Sequence, residues 1–197
     1  MKKIEYKLLP KITEEIIQNR FSCFSESLNY YKDLDSTREV YDENSFHLVF
    51  YIDGKFAGYT RLTPCPYNYM NHTSKSKIEI PNDDYTFEMG RTFVLPEFRG
   101  IKLVSLILLV GLHISETLGY KKAIGNESYE AHLKMPTANG WEFMNIIADF
   151  HMPFSNKGYH TFYLIQCDLK KTKEFRRQRI LEFKKWFADN NYEFELF

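Results

Sequence analysis

The chain has 197 residues, a length that predicts one compact domain with an ample hydrophobic core. Lys plus Arg and Asp plus Glu each total 26, so the balanced charge predicts no nucleic-acid or membrane-surface partner. Three widely spaced cysteines without a CxxC pair argue against a disulfide framework and against a zinc site.

The opening segment MKKIEYKLLPKITEE turns polar too early for a signal peptide. No apolar run approaches the ~20 residues that a membrane-spanning helix needs. Unpaired cysteines are typical of the reducing cytoplasm. We therefore expect a cytoplasmic protein without a membrane span and without a bound metal.

The first part of the chain predicts a strand, a helix and a hairpin. KIEYKLL alternates as a strand does, and apolar residues at helical spacing over 12–31 predict a helix. The charged, turn-rich segment DLDSTREVYDENS predicts an exposed loop. Two strand-like runs then flank Asp53-Gly54, a dipeptide that tolerates the positive φ of a tight hairpin. We therefore expect antiparallel pairing in this half.

The central part predicts a βαβ unit. An irregular segment over 65–84 leads into a strand over 85–95, and a helix follows from near Gly100 until Gly119 stops it. YKKAIG then forms a short strand, so the two strands should pair in parallel through a right-handed crossover.

The last part predicts a short helix ending at Asn139-Gly140, a strand at YHTFYLIQCDL and a basic helix at about 170–189. We expect one apolar face of that helix, formed by Phe175, Ile180, Leu181, Phe183, Trp186 and Phe187. The whole order indicates an α/β (α+β) fold, with residues 1–197 as a single domain.

The junction VLPEFRGIK between the predicted strand and helix is a candidate phosphate site. A helix that starts directly after a strand presents unpaired N–H groups and the positive end of its dipole. Arg99 adds a charge-assisted donor, and Gly100 leaves room for close approach. A plain strand-to-helix turn without a ligand is the alternative.

This junction resembles the acyl-carrier loop of the GNAT acyltransferase superfamily, whose form is V-x-P-E-[FY]-R-G followed by two small residues. Val94 to Gly100 match, whereas Lys102 and Val104 stand where the pattern has Gly and Gly or Ala. The resemblance implies a mixed central sheet with an antiparallel N-terminal half, a V-shaped cleft between strand ends, and flanking helices. It also implies that an acyl-phosphopantetheine thioester, as acyl-CoA or on an acyl carrier protein, binds at Phe93, Val94, Leu95, Arg99, Gly100, Ile101 and Lys102.

A narrower set of residues resembles the acyl-homoserine lactone synthases and the N-acyl amino acid synthases. The set is Arg20, Phe24, Tyr30, EVYD, TRLTP, EMGR and NGWEF, in that order. The resemblance implies an N-acyltransferase that moves a fatty acyl group to the amine of a small molecule such as an amino acid or S-adenosylmethionine. An acetyl-CoA-dependent N-acetyltransferase and a non-catalytic module that binds an acyl carrier or lipid are the alternatives.

The resemblance implies roles for four charged residues, Glu88, Arg91, Arg61 and Asp42. Glu88 would take the proton of the attacking amine, and the other three would gather with Arg20 below the acceptor pocket. The structural alternative makes Glu88 an ion-pair partner of Arg61 or Arg91, with a lowered pKa. Asp42 would then lie in a solvated loop.

Other parts of the reaction machinery have weaker candidates. The resemblance places the oxyanion donor among the backbone N–H groups from Phe93 to Leu95. Pro136 stands where many GNAT enzymes have an acid Tyr, with Ser128, Tyr129 and His132 nearby. The apolar residues that line either an acyl tunnel or the core are Phe143, Met144, Ile147 and Phe150.

The basic C-terminal helix would suit docking of an acidic acyl carrier protein. Its Lys and Arg residues are equally typical of a solvated helix face. RNA binding is disfavoured because no exposed aromatic residue can be assigned beside that face.

Overall fold

A computed structural model describes residues 1–28, 30–66, 81, 83–127, 134–151 and 159–195. Its eight strands are β1 (Lys2–Leu9), β2 (Phe46–Ile52), β3 (Lys55–Pro64), β4 (Thr86–Val94), β5 (Lys122–Glu127), β6 (Glu142–His151), β7 (Tyr159–Asp168) and β8 (Tyr192–Phe194). The helices are α1 (Glu14–Leu28), α2 (Leu103–Thr117), α3 (Lys134–Thr137) and α4 (Lys173–Asp189), with short 3-10 turns at Asp35–Thr37, Val40–Asp42 and Pro96–Phe98.

The strands form one mixed sheet in the order β6-β7-β5-β4-β3-β2-β1-β8. Strands β1 to β4 pair antiparallel in sequence, and β4 pairs in parallel with β5 across the α2 connection. The predicted α/β class, antiparallel first half and βαβ unit are therefore confirmed. No helix in the described ranges has both the length and the apolarity to cross a bilayer.

The hairpin between β2 and β3 turns where the sequence predicts. Asp53 and Gly54 have φ values of 50° and 75°, the left-handed pair that a two-residue type I′ turn requires. The tight turn fixes the register that places β3 beside β4 and so contributes one wall of the site described below.

Helices cover both faces of the sheet. Along β2, Leu48 and Phe50 belong to the large core beneath α2 and α4, whereas Val49 between them packs with Ile16 of α1. Successive strand residues point to opposite faces, so α1 lies on one side and the α2–α4 pair on the other.

Several local predictions differ from the structure. The segment after α1 is not the exposed loop that its composition predicts, because Thr37, Asp42 and Ser45 are buried in it. Phe175 and Leu181 of α4 are exposed, and Arg176 is buried against Glu116 instead. Strands β6 and β8 are additions to the predicted elements.

Some predictions fall outside the described residues. They concern most of the segment over 65–84, the substitutes Ser128, Tyr129 and His132, and the side chains of Phe143, Ile147 and Phe150. Met144 is 36% exposed, which does not fit a core position.

Candidate active site

The central feature of the site is an opening between β4 and β5. The two strands pair only from Thr86↔Lys122 to Glu88↔Ile124. Beyond that point β4 runs on to Val94 and β5 to Glu127 without pairing with each other. The V-shaped cleft expected from the resemblance is thus present, with Glu88 at its closed end.

A β-bulge in β4 bends the strand away from β5. Tyr59 of β3 faces Phe93, but Arg61 faces Gly90, so one residue of β3 opposes two of β4. Arg91 has φ 56° at this point, which is unusual for a residue with a side chain. The bulge turns the Arg91 side chain toward the α1 side, where it meets Tyr30.

The bulged end of β4 presents one of the three predicted backbone donors to the cleft. Leu95 N donates to Ala57 O at 3.0 Å, so of the three amides this one is already paired within the sheet. Backbone N–H groups alternate sides along a strand. The amide of Phe93 therefore faces β3 as well, and that of Val94 faces the opening.

Buried charged side chains lie on the α1 side of the sheet below the cleft. Asp42 accepts two hydrogen bonds from Arg20, at 2.8 and 3.0 Å, and one from Arg61 at 3.0 Å. Its Oδ2 also accepts the Glu39 backbone N–H at 2.9 Å. Burial opposes the charged form, yet the arginines and hydrogen bonds outweigh it and the pKa of Asp42 is lowered. Asp42 is fully engaged and has no capacity to act as a base.

Glu39 adds Arg91 to this cluster and is a second partner of Arg61. It accepts from Arg61 Nη1 at 2.6 Å, from Arg91 Nε at 2.7 Å and from the Tyr31 hydroxyl at 2.8 Å. Burial alone would raise the pKa of Glu39, but the charges of Arg91 and Arg61 lower it strongly. The carboxylates of one loop thus hold arginines from three separate elements.

His47 and Tyr59 complete the network. The His47 Nε2–H donates to Asp42 O at 3.0 Å, so Nδ1 must accept from the Tyr59 hydroxyl, 2.8 Å away. The Tyr59 oxygen in turn accepts from Arg20 at 2.8 Å. Burial lowers the pKa of His47 to about 4, so this histidine is neutral at pH 7 and serves to hold the Asp42 loop in place.

Glu88 differs from the other carboxylates. It is 2% exposed, and its Oε2 is buried without a hydrogen-bond partner. Among the described residues no basic side chain forms an ion pair with it, and Arg61 and Arg91 pair with Asp42 and Glu39 instead. Burial raises the pKa of Glu88 beyond what Arg61 and Arg91 can offset. The structural alternative, an ion-paired Glu88 with lowered pKa, is therefore wrong.

The loop at the start of α2 keeps a glycine-like backbone despite its sequence. Gly100 has φ 85° and open space where a side chain would point. Lys102 adopts φ 60°, a conformation that costs a non-glycine residue about 1–2 kcal/mol. Its Nζ lies 4.5 Å from the centre of the Trp186 ring on α4, so the lysine chain leaves the loop open.

The first turn of α2 has N–H groups without helical partners, and the side chain of the N-cap residue Lys102 makes no capping hydrogen bond to them. Arg99 is exposed beside it and donates through Nε to Val94 O at 3.3 Å. Ile101 is half-buried, and Val104 packs against the core. The loop therefore joins the open end of β4 to a set of unpaired amides, an arrangement suited to an anion.

Comparison with solved structures identifies the fold. An N-acetyltransferase from Staphylococcus aureus superposes with a TM-score of 0.59 at 14% identity, covering 84% of this chain and 99% of that one. An acetyltransferase of Bacillus subtilis in complex with CoA gives 0.58 at 14% identity, covering 84% and 98%. This is the GNAT fold. A ribosomal-protein-alanine N-acetyltransferase from Brucella melitensis gives 0.58 at 13% identity, covering 82% and 99%.

No family model matches the sequence, and no curated protein matches it either. The narrower likeness to the acyl-homoserine lactone and N-acyl amino acid synthases remains a prediction. Within the described parts of the chain, no group of His, Cys, Asp and Glu has an arrangement that would hold a metal ion.

Sequence reasoning located Arg20, Asp42, Arg61 and Arg91, which the structure brings together. It did not identify His47, Tyr59 or Tyr31 as members of the cluster. His47 and Tyr59 occupy inward positions of apolar strands, where an unexplained polar side chain is the only available signal. Glu39 stood inside the EVYD segment without an assigned role.

Proposed function

We propose that this protein is an N-acyltransferase that moves an acyl group from a pantetheine thioester to the amine of a small molecule. The observation that carries the proposal is Glu88, a buried carboxylate without an ion pair at the closed end of the β4–β5 opening. A base needs a pKa near the working pH, and burial moves the pKa of Glu88 upward.

The chemistry follows from the groups at the opening. The amine nitrogen attacks the thioester carbonyl and forms the N–C bond, while its proton passes to the Glu88 carboxylate directly or through water. The Val94 N–H, which faces the opening, would donate a hydrogen bond to the carbonyl oxygen and stabilise its negative charge. The C–S bond then breaks and the thiolate leaves, taking a proton from solvent.

The leaving thiolate needs no positioned acid in this scheme. Pro136, which stands where many GNAT enzymes have an acid tyrosine, is buried and has no proton to give. A thiolate is a good leaving group near neutral pH, since a free thiol has a pKa of about 8.5. Acyl transfer is therefore compatible with a proline at position 136.

The phosphate end of the donor would lie at the start of α2. The open amides of its first turn, the free space at Gly100 and the exposed Arg99 support this position. The Bacillus subtilis neighbour was solved with CoA, which supports CoA as the donor. We assign Phe93, Val94, Arg99, Gly100, Ile101 and Lys102 to this site, and Leu95 only through its side chain.

The acceptor would approach from the α1 side, where Glu88 and the charged network lie. Arg61 has Nε and Nη2 buried without partners, so this arginine retains hydrogen-bonding capacity. An amino acid or S-adenosylmethionine remains our prediction for the acceptor. Asp42, Arg61 and Arg91 act here by shaping and charging the floor of the pocket rather than by moving protons.

An acyl carrier protein is a second candidate donor. The contact of Lys102 with Trp186 places α4 beside the proposed phosphate loop, and α4 exposes Lys185 nearby. An acidic carrier would find a complementary charge there. Charge reversal at Lys185 should lower kcat/KM for an acyl-carrier donor while leaving the CoA donor unaffected. Equal effects on both donors would count against docking at α4.

A screen of acyl donors against amines tests the main proposal. Acetyl-CoA and longer acyl-CoA thioesters are mixed with amino acids, S-adenosylmethionine and polyamines, and release of free thiol and the mass of the product are followed. We expect thiol release that depends on an amine and yields an amide. A protein that binds CoA but releases no thiol with any pair would instead be a binding module.

A further inference from the structure

The opening between β4 and β5 is closed on its α2 side by an aromatic ring. A Cβ built at Gly125 of β5 would lie 3.1 Å from Met89 O and 3.5 Å from Cζ3 of Trp141. Gly125 directly follows the last paired position, Glu88↔Ile124. The indole of Trp141 therefore lies where the two strands part.

Trp141 and Glu88 occupy opposite sides of this opening. Met89 belongs to the core under α2, and Glu88, its neighbour in the strand, points to the other face. Trp141 is 2% exposed and belongs to the same core as Met89. The Met89 side chain ends where a Cβ on Gly111 of α2 would lie, so it packs directly against this helix. Met89 and Trp141 thus form a wall opposite the proposed base.

We infer that Trp141 limits the acyl group to a short chain, and not the fatty acyl group that the narrower resemblance implies, by filling the space into which a longer chain would extend from the cleft. The inference rests on the proposed function, because it takes the thioester carbonyl to lie in the opening. With the amine on the Glu88 side, the acyl tail must point toward the α2 side. The buried indole would then stand in the path of that tail.

The Trp141 Nε1 is buried without a hydrogen-bond partner. A buried N–H of this kind is costly in a residue that only fills a core. It therefore suits a wall that meets a polar group of the donor, such as a carbonyl or amide of the pantetheine arm. The substitution Trp141→Phe would keep most of the side-chain volume and lose this donor.

The test compares acyl-chain preference in the wild type, Trp141→Ala and Trp141→Phe. The donors are acetyl-, butyryl-, hexanoyl- and decanoyl-CoA with one amine, and the readout is thiol release. An engineered cavity of about 150 Å³ accommodates benzene, so removal of the larger indole makes room for several methylene groups. A methylene in an apolar pocket changes kcat/KM by about tenfold or more.

We expect the wild type to prefer acetyl- or butyryl-CoA over decanoyl-CoA. In Trp141→Ala the ratio of hexanoyl to acetyl kcat/KM should rise at least about tenfold, and in Trp141→Phe it should change little. Phe187→Ala is the matched control, since Phe187 is a buried aromatic residue of the same core on α4. It should lower stability without changing the ratio.

Three results separate the possible failures. A wild type that uses decanoyl-CoA as well as acetyl-CoA would overturn the inference even if Trp141→Ala did not fold. So would a folded Trp141→Ala protein with an unchanged ratio. If no donor releases thiol from any variant, the proposed function fails, and calorimetric titration with acetyl- and hexanoyl-CoA then tests the inference alone. Tighter binding of hexanoyl-CoA by Trp141→Ala than by the wild type supports the inference. Equal binding by the two proteins overturns it.

Discussion

Replacing Asp42 by asparagine should destabilise the protein more than any surface charge change. The Asp42 carboxylate accepts two hydrogen bonds on each oxygen, three of them from arginines. An asparagine turns one acceptor oxygen into an NH2 group, which would face two donors in either orientation. It also removes the charge that compensates Arg20, whose side chain is fully buried.

The expected cost follows from these contacts. Hydrogen bonds to charged groups contribute about 1.5–3 kcal/mol each, and breaking a buried ion pair by removing one partner costs about 3–5 kcal/mol. We take about 3–5 kcal/mol as the loss in the free energy of unfolding for Asp42→Asn. For a chain of this size that corresponds to a melting temperature lower by roughly 6–20 °C.

Urea denaturation followed by circular dichroism measures this loss, with Glu182→Gln as the control. Glu182 pairs with Arg179 on the exposed face of α4, so its loss should leave the denaturation midpoint nearly unchanged. The double variant Arg20→Met, Asp42→Leu removes both charges and should recover part of the stability. An Asp42→Asn protein within about 1 kcal/mol of the wild type would refute the reasoning about the network.

Two further predictions concern pH and packing. The pKa of His47 is lowered from 6.5 to about 4, so between these pH values the unfolded chain binds more protons than the folded protein. The free energy of unfolding should therefore fall by roughly 3 kcal/mol as the pH is lowered from 6.5 to 4. Thermal melts of His47→Gln over this range should lose most of that pH dependence, and an unchanged pH dependence would contradict the prediction. In Gly58→Ala the new Cβ would lie 2.7 Å from Ile107 Cδ1 and 3.1 Å from Phe93 O. The substitution should therefore lower the free energy of unfolding by about 1–3 kcal/mol, and an unchanged melting temperature would contradict this prediction.

The parts of the fold that sequence reasoning located correctly rest on local signals. Asp53-Gly54 specifies its hairpin because few other dipeptides adopt two positive φ values. The βαβ unit follows from a strand pattern on either side of an apolar helix that stops just before Gly119, which has a positive φ. Strand β8 has only the residues Tyr192–Phe194, too few for an alternating pattern to register.

The charged network could be located only in part, because burial is a property of the whole fold. Composition marks the loop around Asp42 as solvated, and nothing within that loop reveals three arginines arriving from α1, β3 and β4. The direction of the Glu88 pKa shift could not be predicted from the sequence either, because it too depends on burial and on contacts between distant segments. It depends on which carboxylate each arginine pairs with, and Glu39 and Asp42 take both Arg61 and Arg91.

Lys102 illustrates the reverse case, in which a sequence departure leaves the backbone unchanged. The lysine stands where the resembled pattern has glycine, yet it adopts φ 60° and directs its side chain to Trp186. The mismatch therefore says little about whether the loop can surround a phosphate. A backbone angle of this kind is set by the neighbouring strand and helix rather than by the residue alone.

The most direct measurement of the central claim is kcat/KM for Glu88→Gln beside the wild type, with one donor and amine pair, from pH 5 to 9. The wild-type rate should rise through a pKa above the usual glutamate range as Glu88 loses its proton. The variant should be slower by about a hundredfold or more, without that rise, at unchanged thermal stability. A folded Glu88→Gln protein with the wild-type rate and pH profile would contradict the account.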